Sequence, residues 1–352
     1  MRRKLSEAGL DALVVSSLPN IRYLTGFSGS AALMLVTAGG VLFLSDFRYR
    51  EQSAEEVGDL ARIVIESGGT WERLFKLLPD YPEVKRLGYE SHHLTAWDAR
   101  RLADPARPWS FEGTAELVES LRAVKSPEEV EAIRRAGRVA ADALALAIAS
   151  IRAGQTELEV AAQLEGALRR GGSEWFAFPT IVASGPRSAL PHARTSARVV
   201  APGDLLLLDF GSVVDGYCSD ITRTFIVGAE PTEEQTRIHS VVHAAQRAAL
   251  DGLHAGMTGR QGDALARDVI AAAGLGDAFG HSLGHGVGLE VHEAPRLAKS
   301  VDETLPARAV VTVEPGIYLE GWGGVRIEDD VVLGPQGAEL LTEFTRDLIR
   351  LG

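Results

Sequence analysis

The chain has 352 residues, 45% hydrophobic and 24% charged, which suits a globular protein with two separately cored domains and excludes a disordered or low-complexity one. A formal charge of -12 argues against sequence-independent nucleic-acid binding, which needs basic surface to displace counterions. A single cysteine, Cys218, rules out an internal disulfide and fits a reducing, cytoplasmic compartment.

The start, Met1-Arg2-Arg3-Lys4-Leu5-Ser6-Glu7, turns polar at once, so no secretory signal is expected. The longest apolar run, residues 140–151, is shorter than a membrane span and contains Asp142. Along the first part, a helix is expected over residues 3–8 and a strand over 10–15. Strands over 32–36 and 41–44 flank Gly39-Gly40, a hairpin signal. A helix near 48–57, a strand at 63–65, a helix near 71–78 and a strand at 86–89 complete the pattern of an α/β domain. Pro105, Pro108 and Gly113 then loosen the periodicity. Ser126-Pro127-Glu128-Glu129 supplies a serine N-cap, a proline at the first helical position and a glutamate three residues after the cap. The boundary is expected shortly before it, with domains at 1–122 and 123–352.

The second part carries a faint repeat. Ile151-Arg152-Ala153-Gly154-Gln155-Thr156 follows a long Ala-rich helix and precedes another. Leu253-His254-Ala255-Gly256-Met257-Thr258 does the same about a hundred residues later. Acids and histidines recur at a similar offset: Asp209 and Asp220 are followed by Glu314 and Glu328, and His192 by His292. Each half is therefore expected to be helices followed by antiparallel strands, donating two carboxylates to a site between the halves.

Asp209, Asp220, His285, Glu314 and Glu328 form an oxygen-rich ligand set with one imidazole, enough for two divalent metals sharing bridging carboxylates. A turn centred on Asp215-Gly216 would set Asp209 opposite Thr222, with Asp220 as its diagonal neighbour on the same face. Period-two alternation likewise puts Arg326 beside Glu328, where it would support the ligands or meet a substrate carboxylate. The bland alternative is a network of structural ion pairs, but four acids have only Arg326 and histidines as evident partners. Gly284, Gly286 and Gly288 make a poor phosphate loop, because a histidine interrupts them and no Lys-Ser/Thr ending follows. His239, His243 and His254 fall at mixed spacing on an expected helix and read as solvated. Cys218 reads as a small buried hydrophobe.

Leu-Asp-Phe-Gly at Asp209, Ser-Asp-Ile-Thr-Arg-Thr at Asp220, Gly-His-Gly at His285, Val-Glu-Pro-Gly-Ile-Tyr at Glu314 and Val-Arg-Ile-Glu-Asp at Glu328 together resemble the proline-specific metallopeptidases of the pita-bread fold, aminopeptidase P and prolidase. Asn20-Ile21-Arg22-Tyr23-Leu24-Thr25-Gly26-Phe27 and Ser45-Asp46-Phe47-Arg48-Tyr49 resemble the creatinase-type N-terminal domain of that family. The resemblance implies an α+β architecture: a smaller α/β creatinase-type domain, then a pita-bread catalytic domain. It implies that Asp209 chelates one metal, that His285 and Glu314 hold the other, and that Asp220 and Glu328 bridge both. Manganese is the metal it most often implies, with cobalt or zinc as substitutes.

It further implies that a hydroxide held between the metals attacks the Xaa-Pro bond, with Glu314 as general base. His192 and His292 would orient substrate and stabilise the tetrahedral intermediate; His281, Tyr318 and Arg326 would line the pocket for proline. On the residues alone, Tyr318 could equally be core and Arg326 purely a clamp. The implied partners are peptides with proline in the second position, and the implied assembly is a homodimer. The activity expected is that of an Xaa-Pro aminopeptidase. A dipeptide-restricted prolidase is the alternative, to be decided by loops of the N-terminal domain. More remote are a creatinase-like amidinohydrolase, which would leave the ligand set without a purpose, and a non-catalytic binding module, in which the ligands are typically lost.

Overall fold

The computed structural model describes every residue except 103 and 105, and the chain divides into two compact units, Met1–Arg122 and Ala123–Gly352. Pro105 lies outside the described residues.

The first unit contains α1 (Arg2–Glu7), β1 (Ala12–Val15), α2 (Leu18–Thr25), β2 (Leu33–Thr37), β3 (Val41–Asp46), α3 (Arg50–Glu56), β4 (Arg62–Glu66), α4 (Thr70–Leu77), β5 (Arg86–Glu90), α5 (Ala96–Leu102), β6 (Ser110–Thr114) and α6 (Glu119–Arg122). Its six strands form one mixed sheet in the order β4-β3-β2-β1-β5-β6. Strands β1, β2 and β3 pair antiparallel, whereas β1 with β5, β5 with β6, and β3 with β4 are parallel. Both faces are covered. Leu13, Val15, Met34 and Phe43 enter one core and Val14, Leu33, Leu35 and Leu44 another, which is why these strands read as continuous apolar runs.

Four elements of this unit, α2, α5, β6 and α6, escaped the sequence pattern. Helix α2 buries Asn20, whose amide donates to Glu90 Oε1 (2.7 Å) and whose Oδ1 accepts from Arg122 Nη1 (2.8 Å). The Asn20 motif therefore has a structural use. Strand β6, which includes Gly113, forms where irregular chain was expected, because pairing with β5 supplies hydrogen bonds that no local apolar alternation announces.

In the second unit, α7 (Pro127–Ile148) starts with Ser126 as N-cap in a reciprocal capping box with Glu129. After it come α8 (Glu157–Arg170), β7 (Ile181–Ser184), β8 (Leu205–Phe210), β9 (Val213–Val214), β10 (Tyr217–Cys218) and β11 (Ile221–Val227). The second half supplies α9 (Glu233–Gly252), α10 (Gly259–Ala272), β12 (Gly284–Gly286), β13 (Glu293–Leu297), β14 (Val310–Val313), β15 (Gly316–Leu319), β16 (Gly323–Arg326), β17 (Asp329–Leu333), β18 (Ala338–Leu340) and β19 (Arg350–Leu351).

The repeat is real in three dimensions. Gly154 and Gly256 both take left-handed backbone, with φ of 93° and 94°. Thr156 caps α8 with Glu159, and Thr258 caps α10 with Gln261. Gly154 N donates to Val200 O and Gly256 N to Leu305 O, each at 2.9 Å. Each helix pair packs on its own antiparallel strands, the first through Leu144, Leu164, Leu206 and Leu208 and the second through Val242, Ile270, Val311 and Val331. Cys218 is buried in an apolar cluster with Ile133, Val287 and Val310. Among the described residues no helix is long and apolar enough to cross a membrane.

The histidines expected to be solvated on one helix divide. His254 is exposed but lies beyond the end of α9, His243 is half-buried, and His239 is buried. His239 falls on the face of α9 that carries Ile238, Val242 and Ala249 into the core, so burial lowers its pKa to about 4, helped by His243. Above its ordinary value of 6.5 the ring is neutral in folded and unfolded chains alike. As the pH falls toward 4 the unfolded chain takes up a proton that the folded one refuses, and stability drops. We expect His239→Gln to remove roughly 2 kcal/mol of the stability lost between about pH 7.5 and about pH 5, read from urea midpoints. Identical pH slopes for the two proteins would contradict this account.

Candidate metal centre

Alternation on β8 sends Leu206, Leu208 and Phe210 into the helix-backed core and leaves Asp209 on the opposite face. The register is the one read from the sequence: Asp209 pairs with Thr222, and Val214 with Tyr217 across Asp215-Gly216. Both turn residues have positive φ, 51° and 78°, the twist that a two-residue hairpin requires. Asp220 immediately precedes β11, and its backbone N donates to Asp330 Oδ2 (2.9 Å).

His285 lies in β12 between two glycines. A Cβ at Gly284 would sit 2.0 Å from Thr312 O, and one at Gly286 2.3 Å from Ala294 O, so only glycine lets the neighbouring chain come this close. Glu314 directly follows β14. Glu328, between β16 and β17, forms a backbone bridge with Thr222 in the first half of the unit.

Side chains of Asp220, His285 and Glu328 offer ligand atoms within 4.8 Å of one another. His285 Nε2 lies 3.4 Å from Glu314 Oε1 and 3.9 Å from Asp220 Oδ2, while its Nδ1 is 3.1 Å from Gly286 O. That carbonyl can only accept, so Nδ1 carries the proton and Nε2 presents a lone pair to two carboxylates. Burial, reinforced by His292, lowers the His285 pKa to about 4 and keeps the ring neutral. The acids shift the other way. Burial and the charges of Glu328, Asp209, Asp330 and Glu314 push Asp220 well up, and burial with Glu314 and Asp209 does the same to Glu328. Burial raises Glu314 to about 8, with Arg326 opposing and Asp209 adding. Asp209 Oδ1 and Asp220 Oδ1 are buried without a hydrogen-bond partner among the described residues. Buried carboxyl oxygens without a hydrogen-bond partner, lining the same cavity as an imidazole lone pair, are what a cation would satisfy, and the donor set fits a hard divalent metal.

One cavity of about 960 Å³ is lined by Asp209, Asp220, His285, Glu314 and Glu328 and by His192, His281, His292 and Arg326. Tyr318 stands behind the wall. Arg326 Nη1 donates to Tyr318 Oη (2.7 Å), so the phenol proton is left for His281 Nε2 (2.9 Å), and His281 Nδ1–H donates to Ser282 O (2.8 Å). Arg326 is buried, and its Nη2 donates to Asp209 Oδ2 at 2.5 Å. His192 and His292 are exposed to the cavity, the His292 ring 4.3 Å from that of His285. The loop bearing His192 is pinned by buried Glu157, which accepts from Ser184 N (2.9 Å), Ser196 N (3.0 Å) and Ser196 Oγ (2.6 Å).

Sequence reasoning missed Glu157, Asp330 and Thr312, and placed Thr222 opposite Asp209 without giving it a role. Thr312 Oγ1 donates to Glu314 Oε1 (3.2 Å). Alternation alone puts Thr222 on the Asp220 face, a signal available but unused.

A model of metallopeptidase family M24 matches residues 131–335, and one of the creatinase/prolidase N-terminal domain matches residues 1–124. The chain belongs to metallopeptidase family M24. It is 37% identical to an Xaa-Pro dipeptidase of Pyrococcus horikoshii, over 98% of this chain and 96% of that one. Among solved structures it resembles an Xaa-Pro dipeptidase from Bacillus anthracis (TM-score 0.95, 40% identity, 99% and 98% covered). It also resembles an X-Pro aminopeptidase from Thermotoga maritima (0.91, 40%, 99% and 98%). The M24 chain thus joins a pita-bread catalytic domain to a creatinase-type N-terminal domain in an α+β architecture, and its family implies divalent metal ions.

Because burial and mutual repulsion raise Glu314 to about 8 and push Asp220 and Glu328 upward as well, cation binding should release protons and tighten as the pH rises toward about 8. Calorimetry of Mn2+ binding near neutral pH, in buffers of different ionisation heat, should show about one proton or more released per chain. Buffer-independent heats would refute it.

Proposed function

We propose that this M24 chain hydrolyses the bond between an N-terminal residue and a following proline, with two divalent metals, manganese by preference. The observation that carries the reading is the convergence of Asp209, Asp220, His285, Glu314 and Glu328 in one cavity with His192 and His292 on its wall. Asp209 would hold one metal, His285 and Glu314 the other, and Asp220 and Glu328 both. When bound, the metals supply a Lewis acid that polarises the scissile carbonyl and lowers the pKa of water. Glu314 would take the proton of the attacking water and pass it toward the proline nitrogen. His192 and His292 would orient the peptide and donate to the carbonyl oxygen as it gains charge. Burial and the nearby His192 lower the His292 pKa, so it would act as a neutral donor. His281, Tyr318 and Arg326 would shape the proline side of the site. The oxygen-rich donor set supports manganese. The lone Cys218 supports a reducing cytoplasm, and the homodimer rests on family resemblance.

Asp220→Ala and Glu314→Ala should keep the wild-type circular dichroism yet lose at least about a thousandfold in kcat/KM on an Xaa-Pro peptide. Exhaustive chelation should inactivate the wild type, and Mn2+ should restore it. Full activity in either variant, or in the chelated protein, would sink the assignment.

Substrate length is a separate matter. Solved relatives carry the names of both a dipeptidase and an aminopeptidase. We favour the aminopeptidase on the resemblance of the Asn20 and Asp46 motifs, with a dipeptide-restricted prolidase as the second reading. Comparing kcat/KM for Xaa-Pro and Xaa-Pro-Xaa decides between them, since an aminopeptidase cleaves the longer peptide at least as well. Cleavage of the dipeptide alone establishes the second reading.

A further inference from the structure

Arg326 touches Asp209 directly, but reaches Glu328 through an intermediary. Its Nε lies 3.1 Å from Thr222 Oγ1, and that hydroxyl lies 2.5 Å from Glu328 Oε2. The polarity of this chain is fixed by elementary chemistry. A guanidinium N–H can only donate, so the threonine oxygen accepts from Arg326 and its single proton is left for the carboxylate. Thr222 has no exposed surface, so water does not compete for either bond. The contact also lies at the seam between the two halves. Thr222 pairs with Asp209 on one side and bridges to Glu328 on the other.

The backbone at this seam is held without the hydroxyl. Glu328 N donates to Thr222 O (3.1 Å). Arg223 Nη1 reaches Thr222 O (2.9 Å) and Glu328 O (2.6 Å). The Thr224 hydroxyl donates to Arg326 O (3.0 Å) and accepts from Arg326 N (3.2 Å). What the Thr222 hydroxyl adds is side-chain orientation: it occupies one oxygen of Glu328, fixes the rotation of that carboxylate, and holds the Arg326 plane from which Asp209 is also bound.

We infer that Thr222 is a positioning residue of the metal centre, setting Glu328 for ligation and tying it through Arg326 to Asp209. The inference rests on reading Glu328 as a metal ligand. Thr222→Val keeps the β-branched shape but strands Glu328 Oε2 and Arg326 Nε, whereas Thr222→Ser restores the hydroxyl.

The test is Mn2+ titration of metal-stripped full-length protein by calorimetry, with circular dichroism as the folding control. The Kd of Thr222→Val should rise about ten- to a hundredfold, the usual effect of losing a partner that orients a ligand, while Thr222→Ser should stay within about threefold of wild type. Wild-type affinity in folded Thr222→Val, or a serine variant as weak as the valine one, overturns the inference. Should the valine variant not fold, Thr222→Ala carries the same expectation and the same overturning result. The two claims fail separately. A wild type that binds Mn2+, is weakened by Thr222→Val and leaves Xaa-Pro peptides intact refutes the peptidase reading and leaves Thr222 its role. A wild type that takes up no Mn2+ refutes both.

Discussion

Repulsion among Asp209, Asp220, Glu314 and Glu328 is the constraint on which the second unit depends. Four acids share one cavity, three are almost wholly buried, and two buried oxygens lack a hydrogen-bond partner among the described residues. Buried charge of this density is unfavourable unless cations offset it. Arg326 supplies one such charge to Asp209. Protons or metal ions must supply the rest, and membership of an M24 family implies metals. The arrangement is a poor choice for stability alone and a sensible one for a site that must attract divalent cations.

The duplicated scaffold explains how such a cluster is held open. In each half a pair of helices covers one face of a largely antiparallel sheet, and the acids stand on the other face. The two sheets meet at the Thr222–Glu328 bridge, so acids distant in sequence face one cavity. Behind the seam, buried Arg223 clamps the joint. Its Nη2 donates to Asp329 Oδ1 (2.8 Å) and Phe344 O (2.8 Å), and its Nε to Thr345 O (2.8 Å), which ties the C-terminal segment to the strands that carry the acids. Asp329 in turn accepts from Gln246 (2.9 Å) and Arg346 (2.7 Å). Here a buried ion pair is fully hydrogen-bonded, the condition under which it specifies geometry rather than merely costing solvation.

Much of this was legible because it is local. Ser126, Thr156 and Thr258 are caps whose partners lie three residues away, and Asp215-Gly216 sets a register by its own backbone preferences. Strand β6 and helix α2 were not legible, since one depends on pairing with β5 and the other on a polar network that joins Asn20 to Glu90 and Arg122. His239 misled for a related reason. A histidine on a helix carries no sign of which face the core will cover, and α9 turns this one inward.

Sequence alone determined the inventory and spacing of the acids, the period-two faces on which they stand, the doubled helix–strand pattern and the resemblance to proline-specific metallopeptidases. All of these are written in neighbouring residues. Only the tertiary structure decided how the cavity side chains are supported: that Thr222 lies between Arg326 and Glu328, that Tyr318 orients His281 from behind the cavity wall, and that Glu157 pins the His192 loop. Those contacts join groups far apart in the chain, and a hydroxyl or a carboxylate carries no mark of its distant partner until packing excludes water and leaves it one geometry.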